Sequence, residues 1–321
     1  MTAVGETHET YQATFEQRDG RRRVAHYGRP ASAAGAVRNG VGVCEMSHGI
    51  VRVTGDDRIE FVDDAVSNRV PRSEEEGVYA LLLDPQGRIE TELYVYNAGE
   101  RLLLFVPPER TTPLVEDWSG KVFIQDVEIE DATDALAVFG VHGPNATEKV
   151  ASVLGGAAAP EPQLSFVRGS MEQCGVTVIA TDAPTGEEGY EVVCDADDAP
   201  RVFDTLLTRG VNAAPFGYRT WELLTTEAGT PLFEFELEGK IPNVAGVRNA
   251  LDFEKGCYVG QEVVSKVENR GRPSERLVGL RTEAVPEAGA AVFDGDSAVG
   301  DVTRGYEART LDTAAAVAYV G

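Results

Sequence analysis

The sequence predicts an α+β protein built from two ferredoxin-like (split βαβ) halves followed by a small C-terminal β-barrel. Three observations carry that prediction. An order of strand, helix, two or three strands, helix, strand runs through the chain twice. A loop-rich stretch then leads to Lys255-Gly-Cys-Tyr-Val-Gly-Gln-Glu262, and short alternating runs punctuated by Pro286, Gly289, Gly295 and Gly300 close the chain.

The first half is read over residues 1–133. Ile50 to Thr54 alternates as a strand, Gly55-Asp56-Asp57 is a turn into a helix cap, and Ile59, Phe61, Val62 and Val66 have helical spacing. Strand patterns follow at Tyr79 to Leu83, Ile89 to Tyr96 and Arg101 to Val106, the first two joined by an Asp84-Pro85-Gln86-Gly87 turn. Pro107-Pro108 opens a helix through Trp118, and Lys121 to Val127 reads as a closing strand. The second half is read over residues 134–272. Leu136 to Val141 is its first strand, and Gly143-Pro144-Asn145 starts a helix to Leu154. Strands near Leu164 to Arg168, Val176 to Thr181 and Tyr190 to Cys194 precede a helix at Ala199 to Thr208 and a short strand at Val211 to Ala214. A helix over Tyr218 to Glu227, stopped by Gly229, leads through residues 230–250 to the cysteine octet. In the third unit, residues 273–321, the strand-like runs are Arg276 to Leu280, Ala291 to Phe293, Ala298 to Val302 and Ala314 to Tyr319. Two pseudo-symmetric halves place the expected ligand site at their junction.

Composition narrows the function classes. The chain has 321 residues, 42% of them hydrophobic, enough for a sizeable core. No apolar run approaches the ~20 residues of a membrane span, and the polar start lacks a basic segment followed by an apolar one, so the expected location is the cytoplasm. Cys44, Cys174, Cys194 and Cys257 are far apart without a Cys-x-x-Cys pair, which argues against a zinc site or a disulfide framework and leaves only a chance pairing of Cys174 with Cys194. Acidic residues outnumber basic ones 53 to 29, for a formal net charge of -24, and lysines are few. That balance reads as adaptation to molar salt and disfavours nucleic acid as a partner, apart from a local Arg270, Arg272, Arg276 patch that reads as a solvated basic loop.

The octet sets a lone thiol between glycines. Lys255 supplies a positive charge that favours Cys257 as thiolate, while a plain reading is a turn feeding a helix with Cys257 as a small buried hydrophobe. The octet resembles the signature of YgfZ-type folate-binding proteins, relatives of the glycine-cleavage T-protein (aminomethyltransferase, GcvT). Four further segments resemble the T-protein superfamily in order: Val43-Cys-Glu-Met-Ser-His48, Gly87-Arg-Ile-Glu-Thr-Glu-Leu93, Thr185-Gly-Glu-Glu-Gly-Tyr-Glu191, and Arg219 with Leu223-Leu-Thr-Thr-Glu-Ala-Gly229, the match running from about Gly40 to Gly321.

The resemblance implies tetrahydrofolate, or a one-carbon derivative of it, bound between the halves. Glu191 falls on the pterin-binding glutamate and Arg219, ahead of Leu223-Leu-Thr-Thr-Glu-Ala-Gly229, on a folate-contacting arginine. Tyr190 and Lys255 are taken as further contacts from the same motifs. A carboxylate accepts paired N–H groups from a pterin edge, and a guanidinium hydrogen-bonds or stacks on the ring. Glu92 falls on the T-protein's catalytic aspartate, with an arm one methylene longer. It also fits an outward position in a plainly alternating strand, and His48 reads as a satisfied structural histidine.

The cysteine, and a chain that stops at Gly321 before the family's last site arginine, favour the YgfZ type. That type implies Cys257 acting on, or protecting, iron-sulfur client proteins. The Thr185 to Glu191 run leans toward the T-protein, which implies an aminomethyltransferase, or a related folate-dependent demethylating enzyme, working on a lipoyl carrier protein with Glu92 as acid-base residue. A scaffold that merely kept the fold is the non-enzymatic alternative. Loss of cluster-enzyme support in Cys257→Ala, methylene-tetrahydrofolate formation, and absence of folate binding separate the three.

Overall fold

The structure, a computed structural model, describes residues 2–18, 21–271, 273–308 and 313–321. Two antiparallel-dominated sheets stand face to face with helices on their outer sides. The first has five strands in the spatial order Glu76–Leu83, Ile89–Asn97, Arg101–Val106, Gly49–Thr54 and Glu128–Asp131. The second has six, in the order Phe166–Met171, Cys174–Ala180, Gly189–Asp195, Leu136–His142, Gly42–Glu45 and Ala214–Pro215. Counted within each half, both sheets run second, third, fourth, first, last, so the duplication seen in the sequence is also one of topology. The second sheet carries one strand more. Gly42–Glu45, which precedes the first half's strands in the chain, pairs in antiparallel register with Leu136–His142 and in parallel with Ala214–Pro215.

Alternation along each strand divides its side chains between two layers. Outward residues of the first sheet, Val51, Val53, Leu93, Val95, Leu102 and Leu104, pack on Val62 of helix Arg58–Ala65 and on Leu114 and Trp118 of helix Thr111–Ser119. Outward residues of the second sheet pack on helices Ala146–Val153 and Ala199–Thr208 through Val150, Val202, Phe203 and Leu206. The inner faces meet in a third cluster, where Ile50, Tyr96 and Phe105 face Val138, Ile179 and Val193, with helix Tyr218–Ala228 adding Trp221 and Leu224.

The expected strand at Lys121 to Val127 is not formed; the pairing strand begins at Glu128, opposite Thr54. The residues before it are held by a turn-to-turn contact, in which the Asp57 amide donates to the Asp126 carbonyl and the Asp126 amide to Asp57 Oδ2. Phe123 and Ile124 consequently stand in solvent, 90% and 95% exposed. The N-terminal region, unassigned from sequence up to Val43, holds helix Gly5–Thr10, the hairpin of Thr14–Arg18 with Arg21–His26, and helix Pro30–Arg38.

The segment after helix Tyr218–Ala228 contains a π-helical turn, Phe233–Leu237, and short turns at Pro242–Ala245 and Arg248–Ala250. It covers the first sheet's edge through Phe233, Leu237, Val247 and Leu251 against Tyr79, Leu81 and Ile89. The C-terminal strands form an antiparallel sheet in the order Arg276–Thr282, Thr313–Val320, Ser297–Ala308 and Ala291–Asp294, and no pairing among the described residues closes it into a ring. This sheet docks on the body by a buried ion pair, Arg304 with Glu236 at 3.1 Å, while Thr303 and Tyr319 hydroxyls donate to the Glu236 side chain and carbonyl. Arg272 lies outside the described residues, as does the Arg270 side chain.

Candidate active site

A cavity opens in the seam between the two sheets, and it is built by alternation. On strand Ile89–Asn97, Leu93 and Val95 point to the outer core, so Glu92, Tyr94 and Tyr96 share the inner face and line the cavity. On strand Gly189–Asp195, Tyr190, Val192 and Cys194 belong to the outer core, which turns Glu191 inward onto the same cavity. The crossover from one sheet to the other, residues 46–48, supplies His48. It is fixed by the Met46 amide donating to the Val138 carbonyl and the Ser47 amide donating to the Tyr218 hydroxyl at 2.6 Å. Asp182, Phe105, Tyr218, Trp221, Arg18 and Arg23 complete the walls that matter chemically.

His48 and Glu191 form the central polar contact. The imidazole Nε2 donates to Glu191 Oε1 at 2.7 Å, and the ring stacks on Phe105 with centroids 5.2 Å apart. Burial by itself would lower the basicity of His48, but the Glu191 charge and hydrogen bond, with Glu92 behind them, turn the net shift upward.

Glu92 is governed by burial, which pushes its carboxyl up to about 7. The Tyr79 hydroxyl, donating at 2.8 Å, and nearby His48 pull against that shift, and Asp182 adds to it. Asp182 is likewise raised by burial and accepts from Tyr94 at 3.2 Å. A carboxyl with its pKa near neutrality, in a cleft with the carboxyl groups of Asp182 and Glu191 and a histidine, is equipped to hold and release a proton at physiological pH.

The cavity thus joins Glu92 and Glu191, both expected from sequence, with His48, which turns out to be the partner of Glu191. The other expected site residues lie elsewhere. Arg219 is half-exposed and engages Glu16 at 3.0 Å and Glu222 at 3.4 Å, away from the cavity. Two positions apart on an α-helix is about 200° of rotation, so Trp221 and not Arg219 faces the cavity. The guanidinium groups on the cavity wall are those of Arg18 and Arg23, the latter above the Tyr218 ring at 3.9 Å and paired with Glu16 at 2.8 Å. Tyr190 faces the opposite layer, where its hydroxyl meets Thr147 at 2.8 Å. The Thr185 to Glu191 run itself is held by Arg38, which donates to the Thr185 carbonyl at 2.6 Å and pairs with Glu227 at 3.2 Å.

The cysteine octet also departs from expectation. The buried Lys255 ammonium donates to the carbonyls of Val66 at 2.8 Å, Asn68 at 3.1 Å and Asp63, at the C-terminal end of helix Arg58–Ala65. Gly260 has φ +80° and starts helix Gln261–Arg270, and a Cβ there would lie 2.6 Å from the Asp84 carbonyl oxygen. The octet is therefore a clamp of the loop segment onto the Asp84–Gly87 turn and the first half's helix. Cys257 is exposed rather than a buried hydrophobe and does not line the cavity.

A family profile described as "GCVT N-terminal domain" matches residues 4–255. The chain belongs to this GCVT family. Among its relatives, an aminomethyltransferase of Saccharopolyspora erythraea is 30% identical over 331 residues, covering 100% of this chain and 89% of that protein. An aminomethyltransferase of Corynebacterium jeikeium is 29% identical, covering 99% of this chain and 88% of the relative. The structure of a glycine cleavage system aminomethyltransferase T from Bartonella henselae superposes with a TM-score of 0.85 at 22% identity, covering 98% of this chain and 88% of that one, which establishes that the two share the GCVT fold. No described helix is long and apolar enough to cross a membrane.

His48, Asp182, Trp221 and Arg23 were not selected from sequence as site residues. For Tyr94 and Tyr96 a signal existed, since both share the parity of Glu92 in an alternating strand.

Proposed function

We propose that this chain is a tetrahydrofolate-dependent one-carbon transferase of the aminomethyltransferase type. The observation that carries the reading is the convergence of Glu92 and the His48–Glu191 pair on one aromatic-walled cavity between the duplicated halves. Full-length similarity to proteins named aminomethyltransferase supports it.

The residues present fit a reduced pterin. Glu191 offers a buried carboxylate whose orientation His48 fixes, and a carboxylate in that setting accepts adjacent ring N–H groups. Tyr96, Phe105 and Trp221 supply apolar walls that exclude water from the ring system. Tetrahydrofolate, when bound, supplies the nitrogens that accept the one-carbon unit. Glu92, poised near neutrality, holds or takes up the proton exchanged as the donor amine departs, and as a carboxylate it stabilises positive charge developing beside it. Tyr79 fixes the Glu92 carboxyl through its hydroxyl.

The position of Cys257 does not support folate-dependent maintenance of iron-sulfur enzymes, the first implication of the octet. Cys257 stands outside the cavity, and the relatives named above are aminomethyltransferases. We read the acid excess as adaptation to high salt, so the assays belong in concentrated as well as dilute KCl.

The deciding experiment measures methylene-tetrahydrofolate formed from an aminomethyl-lipoyl carrier protein. Turnover is expected, and Glu92→Gln is expected to lower it by about 100-fold or more. Folate binding by calorimetry without any turnover above background would remove the transferase reading.

A further inference from the structure

We propose that Trp221 selects the ligand of this cavity by stacking on the planar pyrimidine ring of a bicyclic ligand whose edge is held by Glu191. The inference rests on the folate reading above and adds to it the residue that recognises the ring's face. Tyr218 and Trp221, three positions apart on helix Tyr218–Ala228, share the side of the helix turned to the cavity.

The other aromatic walls are already engaged. Phe105 lies against His48, and Tyr96 packs edge-on to Phe105 and Phe166 at 5.2 and 6.2 Å. The Tyr218 ring carries the Arg23 guanidinium, and Phe233 lies beneath Arg110 at 5.4 Å. Among the described residues, the one aromatic partner of Trp221 is His142, tilted against the indole by 55° with centroids 5.1 Å apart, and no second ring engages this part of the cavity wall.

His142 works as a backing plate. Its ring fits a slot cleared by two glycines, for a Cβ on Gly140 would come within 2.7 Å of Nε2, and one on Gly189 within 2.5 Å of Nδ1. Those glycines sit on the strands that pair at the site, Glu191 opposite Gly140 and Gly189 opposite His142. Indole and carboxylate are thus referenced to the same two strands. Neither His142 nitrogen has a hydrogen-bond partner, and burial lowers its pKa to about 4, so the plate is neutral. A neutral ring beside the indole brings no charge to this part of the cavity wall, which suits a neutral heteroaromatic ligand.

The chain has two tryptophans, and the other, Trp118, is buried in the outer core of the first sheet. This allows a direct optical test with 5-formyltetrahydrofolate as the probe. In Trp118→Phe, whose cavity is unaltered, the probe is expected to quench most of the emission. In Trp221→Leu the quench disappears and the calorimetric Kd rises by about tenfold or more, while Trp221→Tyr recovers part of the affinity. Affinity for p-aminobenzoylglutamate, which lacks the bicyclic ring, stays unchanged in all three. An unquenched Trp118→Phe that still binds the probe, or a Trp221→Leu with unaltered Kd, overturns the assignment and leaves the folate reading standing. No calorimetric binding to the unaltered protein overturns both.

Discussion

His48 and Glu191 meet at 2.7 Å although 143 positions separate them in the chain, the imidazole coming from the link between the sheets and the carboxylate from the second sheet. The pair has a titration signature. The folded-state pKa of His48 is raised, so the stability it contributes is fully present below the unfolded imidazole value and is lost as pH rises through the raised one. Glu191→Gln removes the largest upward influence and leaves burial to act. An NMR titration is expected to place His48 above the ordinary value of about 6.5 in the native protein and below it in the variant. An unmoved midpoint contradicts the pairing.

Removing the Glu191 charge also deprives a bound pterin of a charge-assisted acceptor. Glu191→Gln is expected to weaken tetrahydrofolate binding by about tenfold to a hundredfold, with little loss of thermal stability at a pH above the raised His48 value, where the pair's contribution is already gone. Calorimetry and a melting curve on the same sample check both halves of the statement.

Glu92 should leave its mark on stability as well as on activity. Its folded pKa, raised to about 7 chiefly by burial beside Asp182, means that the folded chain binds more protons than the unfolded one between the ordinary glutamate range and neutrality. Stability attributable to this group therefore falls as pH climbs through that window. Glu92→Gln, which cannot ionise, is expected to melt higher than the native protein at pH 8 and at nearly the same temperature at pH 5, while losing transfer activity. Differential scanning calorimetry at the two values decides it, and an equal difference at both would contradict the buried setting. The groups that face Glu92 and enter the same titration are Tyr79, Asp182, His48 and Glu109.

The octet should behave as a clamp. Gly260→Ala places a methyl group against the Asp84 carbonyl at a positive φ, and Lys255→Met leaves three carbonyls without their ammonium. Each is expected to cost about 2 kcal/mol in urea unfolding. Cys257→Ser, at an exposed position, is expected to change neither the unfolding midpoint nor turnover. A large loss of turnover in that variant would return the thiol to the chemistry.

Much of this was legible in the sequence, for identifiable reasons. The strand Ile89–Asn97 alternates from Ile89 to Val95, so the shared face of Glu92, Tyr94 and Tyr96 follows from the period of two. Arg219 misleads because helix Tyr218–Ala228 is buried nearly all round, from Thr220 through Thr226, and periodicity then marks no single face for a ligand. His48 looked structural because its partner lies in the other half of the duplication. The hairpin Thr14–Arg18 with Arg21–His26 carries many charges and little alternation of hydrophobicity; its place on the body is set by Arg23 with Glu222 at 3.4 Å and Arg18 with Glu234 at 2.9 Å. Lys255 read as an electrostatic activator because sequence does not reveal that three carbonyls converge on it.

Strand Gly42–Glu45 imposes an order of events on the nascent chain. It is synthesised ahead of the whole first half, yet its sheet partners, Leu136–His142 and Ala214–Pro215, emerge only afterwards. A truncated product ending between the halves would carry an orphan β-segment with both edges open, ready to recruit another polypeptide. The two lobes therefore depend on one another for maturation, and dividing the gene at their junction should yield fragments that aggregate apart and become soluble only when produced together.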